Sequence, residues 1–242
     1  MPRLALLLLC AAYVLPGVFA RDPWRNADIT AFGYMLSLAE GRSSWLAPAL
    51  GGLPADAALL PHWLGAAFVF ALSPWMDAAL AARVPFALLL ALVLSLTWYS
   101  CYRLARTEAA QPVAFAFGGE ALPIDYARAI ADAAVLALIA SLGLLQLGHE
   151  TTPELAQLFA VSLFLWSMAA APYRVWRARL AAVAALVLVA GSGAPAVALA
   201  MGLAGTVVCA RSGYAQVRRF APWVGLGTLA SALLATWLGV WA

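Results

Sequence analysis

The chain has 242 residues, of which 65% are hydrophobic and 10% are charged, whereas roughly a quarter of the residues in an average soluble domain are charged. A soluble protein of this length has too little interior to bury so much apolar surface, so the composition excludes a soluble enzyme and a disordered chain. The formal net charge is +3, from 14 arginines and no lysine against 11 acidic residues, and a charge this small does not indicate nucleic-acid binding. The composition predicts an integral membrane protein.

Seven apolar segments are predicted to cross the bilayer as helices. A crossing helix needs about 20 apolar residues for a hydrocarbon core of about 30 Å. The stretch between Arg179 and Arg211 holds 31 uncharged residues, which as one helix would measure about 46 Å. The breaker sequence at 191–195 therefore divides this stretch into two short helices. The predicted spans are Leu4–Ala20, Pro85–Tyr102, Ala129–Leu147, Leu155–Ala171, the two halves of 180–210, and Trp223–Trp241.

Two segments leave alternatives open. Leu4–Ala20 has the small-residue end of a secretory signal peptide, but because the rest of the chain is also apolar it is interpreted as an uncleaved first helix. Ala57–Ser73 contains Pro61, so it is either a crossing or a helix at the membrane interface. The positive-inside rule favours the interface, because only then do all arginine clusters lie on the side of Arg3. The clusters are Arg103 and Arg106; Arg174, Arg177 and Arg179; and Arg211, Arg218 and Arg219.

The predicted fold is one all-α transmembrane domain over 1–242. Its N-terminus is cytoplasmic, and residues 21–83 form an external loop with two membrane-surface helices, Ile29–Glu40 and Ala57–Ser73. Residues 84–242 hold the six later spans. The three cysteines lie in or beside apolar runs and are interpreted as small buried hydrophobic residues.

The external loop opens with Arg21-Asp22-Pro23-Trp24-Arg25-Asn26-Ala27-Asp28-Ile29. Two carboxylates and two guanidinium groups thus lie within eight residues at the mouth of a helix. Ionised groups near the bilayer are costly and mark functional sites. Interfacial anchoring is the alternative, with arginines reaching the headgroups and Trp24 in the aromatic belt.

This opening, followed by Met35–Gly41 and Trp45–Pro48, resembles the first external loop of bacterial GT-C glycosyltransferases. These are the relatives of the aminoarabinose transferase of lipid A and of protein O-mannosyltransferases. The resemblance implies one transmembrane helix, then an external loop with two helices along the membrane. Since members of that family generally continue past this length, it also implies the N-terminal part of a longer GT-C module in the bacterial inner membrane.

The resemblance also implies a set of site residues. Asp22 matches the family's proposed general base, a role that includes orienting the acceptor. Arg25 matches the motif arginine, and Asp28 replaces its glutamate. Asp56 matches an acid before the second surface helix and is the predicted ligand of a divalent metal ion. Glu154 matches an acid in a second external loop, and with Arg25, Asp28 and Arg42 it is predicted to bind substrate.

Two family lysines are missing, at the positions of Asp56–Ala58 and Ser192–Pro195. A departing polyprenyl phosphate needs cations or a metal to stabilise its charge. Arginines 21, 25 and 42 are the nearby cations, and arginine holds phosphate bidentately. The donor pocket is therefore either altered or degenerate and inactive.

The predicted function is an inverting sugar transfer from a polyprenyl-phosphate donor to a lipid or other acceptor on the periplasmic side. The alternative is a catalytically inactive membrane scaffold or subunit, which the missing lysines and the short length favour. A small transporter is supported only by the broken helix pair around Ser192. A metal site of Asp56, His62, His149 and Glu150 has no metal-binding spacing, so the histidines are interpreted as interfacial polar residues.

Overall fold

The computed structural model of the protein describes residues 2–19, 22–55, 58–112 and 121–241. Within these ranges the chain is mostly helical, as the sequence predicts, with a short antiparallel hairpin. Its elements are α1 (Arg3–Val14), α2 (Asn26–Ala39), β1 (Ala49–Leu50), β2 (Leu53–Pro54), α3 (Leu59–Leu72), α4 (Ala78–Ala105), α5 (Pro123–Ile139), α6 (Leu142–Leu147), α7 (Pro153–Ala170), α8 (Val175–Gly191), α9 (Pro195–Ala210), α10 (Ala215–Arg218) and α11 (Ala221–Leu238).

Three helical stretches among the described residues are long and apolar enough to cross a membrane. They are α4, α7 and the stretch Ala215–Leu238 that combines α10 and α11. The longest, α4, has 28 residues and contains an 18-residue stretch with a mean hydropathy of 2.2. Helices α1, α3 and α9 are apolar but shorter. These helices agree with the membrane protein that the composition predicts.

Local sequence signals determine where several helices begin and end. The Asp77 carboxylate accepts hydrogen bonds from the N–H groups of Ala79 and Leu80 at the start of α4, which satisfies donors that the first helical turn leaves free. Prolines occupy the first turn of α5, α7, α9 and α11, where the missing N–H is no loss. The predicted break in 180–210 is confirmed, because α8 and α9 are separated by a turn in which Gly193 has a φ of 88°.

From α4 onward the longer helices alternate in direction along the chain, so that every second one is parallel. Helices α4 and α7 are parallel: Arg83 and Thr151 share a cavity near their N-termini, and Arg103 stacks on Trp166 near their C-termini. Helices α8 and α11 are also parallel, since the Trp176 and Trp223 rings near their N-termini lie 5.6 Å apart.

Helix α9 runs antiparallel to α11. Gly202 of α9 faces Thr228, and the later Gly205 faces Val224, one turn earlier in α11. Glycines at these positions let the two backbones approach closely, as in other membrane helix pairs. The alternation brings all the tight turns to the two ends of the bundle.

The two ends of the bundle differ in charge. At one end, called the arginine end, nine arginines lie in or beside the termini of α4, α5, α8, α9 and α10. The other end is called the loop end. It contains the end of α1, the start of α4, the turn before α7 and the turn after α8. The nine residues of the arginine end are Arg103, Arg106, Arg128, Arg174, Arg177, Arg179, Arg211, Arg218 and Arg219.

Both predicted helices of the first loop are present at the loop end, as α2 and α3. They are packed into the protein: Met35 and Leu38 of α2 and Ala66 of α3 are buried in the cluster that includes Phe86 of α4. The end of α1 and the start of α4 lie at the same end, with Val14 and Phe86 lining one cavity. The end of α1 and the start of α4 therefore meet at the loop end, on either side of α2 and α3 in the sequence.

Three predicted boundaries are wrong. The span Ala129–Leu147 is not one helix, because α5 stops at Ile139 and α6 starts at Leu142. The Ser141 hydroxyl donates to the carbonyl of Leu138, and such local bonding competes with helix continuation. Helix α4 begins before Pro85, which lies in its early turns, and α1 ends at Val14, short of the predicted Ala20.

Candidate functional site

The side chain at the centre of the loop end is Asp28, in the first turn of α2. It is 1% exposed. Its Oδ1 accepts two hydrogen bonds from Thr151, one from the backbone N–H at 2.8 Å and one from the hydroxyl at 2.7 Å. Hydrogen bonds to an ionised carboxylate are about twice as strong as neutral ones. They join the helix of the first loop to the segment that precedes α7.

A second charged contact lies beside the first. Glu150 is 1% exposed, and its Oε1 lies 3.7 Å from Nε of Arg25. The Arg25 guanidinium is half-exposed and also stacks on Trp24, with Cζ 4.6 Å from the ring centroid. Arg25 and Asp28 of the motif thus face Glu150 and Thr151, consecutive residues of the second loop.

A fourth charged side chain, Arg83, reaches the same region from α4. It is buried and lines a small cavity together with Thr151, His149 and Val14. The cavity has a free volume of about 10 Å³, which is room for about one water molecule. We call Arg25, Asp28, Arg83, Glu150 and Thr151 the Asp28 cluster.

Helix α1 is held against the Asp28 cluster by His149. The His149 Nε2 lies 2.8 Å from the carbonyl oxygen of Tyr13, and the two rings are 5.0 Å apart. Gly17 lies directly against the imidazole ring, with no room for a side chain. His149 is therefore a packing residue between α1 and the second loop.

The turn between α8 and α9 completes the loop end. The Gln157 side chain donates to the carbonyl of Ser192 at 2.7 Å. Gly193 in the same turn contacts Ala58 at the start of α3. The segments around Ala58 and around Gly193, where the resemblance leads us to expect lysines that this chain lacks, are thus adjacent in the structure.

The predicted site residues are only partly brought together. Arg25 and Asp28 belong to the Asp28 cluster. Asp22 is exposed, ahead of α2, and Arg42 forms an exposed ion pair with Glu40. Glu154 is exposed in the first turn of α7. Asp56, the predicted metal ligand, lies outside the described residues.

Glu154 lines a separate hollow between α5, α6 and α7. The free volume of this hollow is about 270 Å³. Its other walls are mostly leucines, among them Leu138, Leu147 and Leu158. A carboxylate at the edge of an apolar hollow differs chemically from the charged cluster around Asp28.

The described residues hold no group of three His, Cys, Asp or Glu side chains positioned to bind a metal ion. His62 is buried beside the ring of Tyr34, with the ring centroids 5.3 Å apart. His149 bonds to the backbone of Tyr13. Both histidines are therefore packing residues.

Sequence analysis did not single out Arg83 or Thr151 as site residues and gave Glu150 a minor role. One signal was present: Glu150-Thr151-Thr152 directly precedes Pro153, which is a typical polar entry to a helix. The burial of all three residues comes only from the folded structure, because it depends on α2 and α4.

Comparison of the chain with protein-family models, with curated proteins and with solved structures found no match. The assignment of function therefore depends on the geometry of the loop end and on the motif resemblance.

Replacing Asp28 with Ala removes the acceptor of both Thr151 donors and leaves the backbone N–H of Thr151 buried. We expect the free energy of unfolding to fall by about 1.5–3 kcal/mol, and for Thr151→Val by about 0.5–1.5 kcal/mol. The double variant should lose less than the sum of the two. Denaturant unfolding in detergent, followed by tryptophan fluorescence, measures all three values.

The matched control is Asp125→Ala, which removes an exposed carboxylate paired with an exposed arginine. Such surface pairs contribute about 0–1 kcal/mol. Equal losses for Asp28→Ala and Asp125→Ala, or strict additivity of the Asp28 and Thr151 variants, would contradict the role assigned to the cluster.

Proposed function

We propose that the protein is a membrane glycosyltransferase that moves a sugar from a polyprenyl-phosphate donor to a lipid or other acceptor, with inversion. The contact between Asp28 and Thr151 carries the proposal. It joins the motif-bearing helix of the first loop to the second loop, which is the other segment that the resemblance singles out. Buried charged groups at the mouth of a membrane bundle are also expensive and are typical of substrate sites.

In the proposed reaction the acceptor hydroxyl attacks the anomeric carbon of the sugar in one displacement. A carbon–oxygen bond to the acceptor forms while the bond to the phosphate oxygen breaks, and the electron pair leaves with the polyprenyl phosphate. Asp22, exposed ahead of α2, takes the hydroxyl proton or orients the hydroxyl. The half-exposed guanidinium of Arg25 stabilises the phosphate.

The predicted divalent ion has Asp56 as its proposed ligand, which lies outside the described residues. A divalent cation held there would help to stabilise the charge on the departing phosphate. Among the described residues arginines supply positive charge for the same purpose, and Arg25 belongs to the Asp28 cluster.

The proposed topology has seven crossings, with the loop end on the periplasmic side of a bacterial inner membrane and the N-terminus in the cytoplasm. The arginine end then faces the cytoplasm, as the positive-inside rule requires. The three long apolar helices support this topology, and so does the alternation of the shorter helices.

Cysteine labelling tests this topology. In a background with the three native cysteines replaced by serine, Ser44→Cys lies in an exposed turn beyond α2 and Gly213→Cys in an exposed turn at the arginine end. A membrane-impermeant maleimide should label Ser44→Cys in spheroplasts and Gly213→Cys only after lysis. Labelling of both from the same side, or the reverse pattern, would contradict the topology.

Replacement of Asp22 by Asn tests the proposed reaction. The variant is expressed in cells that lack the gene, and envelope glycolipids and glycans are compared by mass spectrometry. Loss of a general base costs about 10²–10⁴-fold in rate, so the glycan that the wild type restores should disappear. Glu108→Gln, which neutralises an exposed acid at the arginine end, should restore it fully. Unchanged product with Asp22→Asn would remove Asp22 from the mechanism.

The second candidate is a membrane scaffold or subunit that keeps this fold without the chemistry. One observation favours it besides the missing lysines. The cavity beside Arg83 has a free volume of about 10 Å³, whereas ligand pockets span about 300–1,000 Å³. The scaffold is favoured if wild type and Asp22→Asn restore the same envelope phenotype and no glycan mass depends on either.

A further inference from the structure

Several arginines of the arginine end lie against aromatic rings. Arg103 lies over Trp166, with Cζ 5.0 Å from the ring centroid. Arg179 lies over Trp223 at 5.2 Å. Stacking of this kind fixes the plane of a guanidinium group while leaving its N–H donors available to an acceptor in that plane.

Arg103 has donor capacity that the described protein does not use. Its Nη1 is buried and has no hydrogen-bond acceptor among the described residues. Buried guanidinium donors in proteins normally have an acceptor, so this donor is available to an oxygen atom of a bound ligand. The same is true of Nε of Arg179, which is also buried without an acceptor in the described part.

A second cation lies close to Arg103. Arg174, in the turn between α7 and α8, donates its backbone N–H to the carbonyl of Ala170, which lies one helical turn beyond Trp166, the ring that Arg103 covers. Tyr173 precedes Arg174 in the same turn, and Tyr99 lies one turn before Arg103 in α4. Two guanidinium groups held near one another are stabilised when an anion binds between them.

Two carboxylates of this end are engaged elsewhere. Asp125 forms its ion pair with Arg128 at 3.4 Å. Asp132 accepts a hydrogen bond from Trp98 Nε1 at 2.9 Å. Within the described ranges no ion pair involves Arg103, Arg174 or Arg179. In that part of the chain these three arginines therefore have no carboxylate partner.

We propose that Arg103 and Arg174 bind the phosphate of an anionic phospholipid headgroup at the arginine end. A phosphodiester supplies the oxygen acceptors that Arg103 lacks and the negative charge that separates the two cations. Basic pockets between membrane helices bind anionic headgroups in this way. The proposal is independent of sugar transfer, because it concerns the opposite end of the bundle.

The surroundings favour a lipid over a soluble phosphate. Arg103 lies near the C-terminus of α4, the longest of the described helices that can cross a membrane. Tyr99, Leu104 and Tyr173 expose large apolar surfaces beside it. Tyrosine at such a position is typical of the headgroup region, where the acyl chains of the same lipid would lie along α4.

Native mass spectrometry of the full-length protein in detergent tests the proposal with phosphatidylglycerol and phosphatidylcholine as probes. The wild type should retain phosphatidylglycerol over phosphatidylcholine. The double variant Arg103→Gln with Arg174→Gln should retain about tenfold less phosphatidylglycerol, since each arginine near anionic lipid contributes appreciably. The control Arg128→Gln removes an arginine at the same end that already has a carboxylate partner, so retention should change less than about twofold.

A thermal measurement keeps the test valid if the double variant is less stable. Phosphatidylglycerol should raise the melting temperature of the wild type and of Arg128→Gln above their lipid-free values, but not that of the double variant. If Arg128→Gln and the double variant lowered phosphatidylglycerol retention equally, general surface charge would explain the binding, and the proposed site would be overturned. Equal retention of both lipids, or full competition by inorganic phosphate at the same concentration, would overturn the proposal.

Discussion

The carboxylate of Asp28 is enclosed by protein, and two donors of Thr151 hold it there. Removing an ionised carboxylate from water costs several kcal/mol unless strong hydrogen bonds replace its hydration. At Asp28 the fold accepts this cost where the first loop meets the start of α7. Because the partner of Asp28 lies 123 residues away in the chain, this contact forms only when the helices have threaded correctly.

The same contact accounts for the organisation of the loop end. Once α2 is attached to the segment before α7, Arg25 is brought to Glu150. Helix α3 follows α2 into the packed cluster around Met35, and its start meets the turn at Gly193. A loop predicted to lie along a membrane surface is thereby built into the bundle. Asp22, ahead of α2, is exposed.

Hydrophobic periodicity and the distribution of charge were enough to predict part of the fold. They identified the helical class, the break after Gly191 and the gathering of the arginines at one end. These features depend on local composition or on a rule that applies to every membrane chain. The end of α5 at Ile139 was missed, because a serine hydroxyl bonding to its own helix leaves no gap in hydrophobicity.

The sequence predicted the residues that the first loop contributes to the candidate site, but not their partners. The motif identified Arg25 and Asp28, but their partners Glu150 and Thr151 lie in a loop whose burial depends on α2 and α4. The burial of Arg83 was not predicted, because the sequence does not show that α4 begins at Ala78. The difference in exposure between Asp22 and Asp28 likewise results from the position of α2 in the folded protein.

Hydrogen exchange at the amide of Thr151 tests the central claim most directly. This N–H donates to a carboxylate that is 1% exposed, so its exchange should be slow, reflecting opening of the bundle and not of a surface loop. In Asp28→Ala the same amide should exchange much faster while amides within α4 keep their protection. Exchange of the wild-type Thr151 amide at the rate of Gly213, in an exposed turn, would contradict the account.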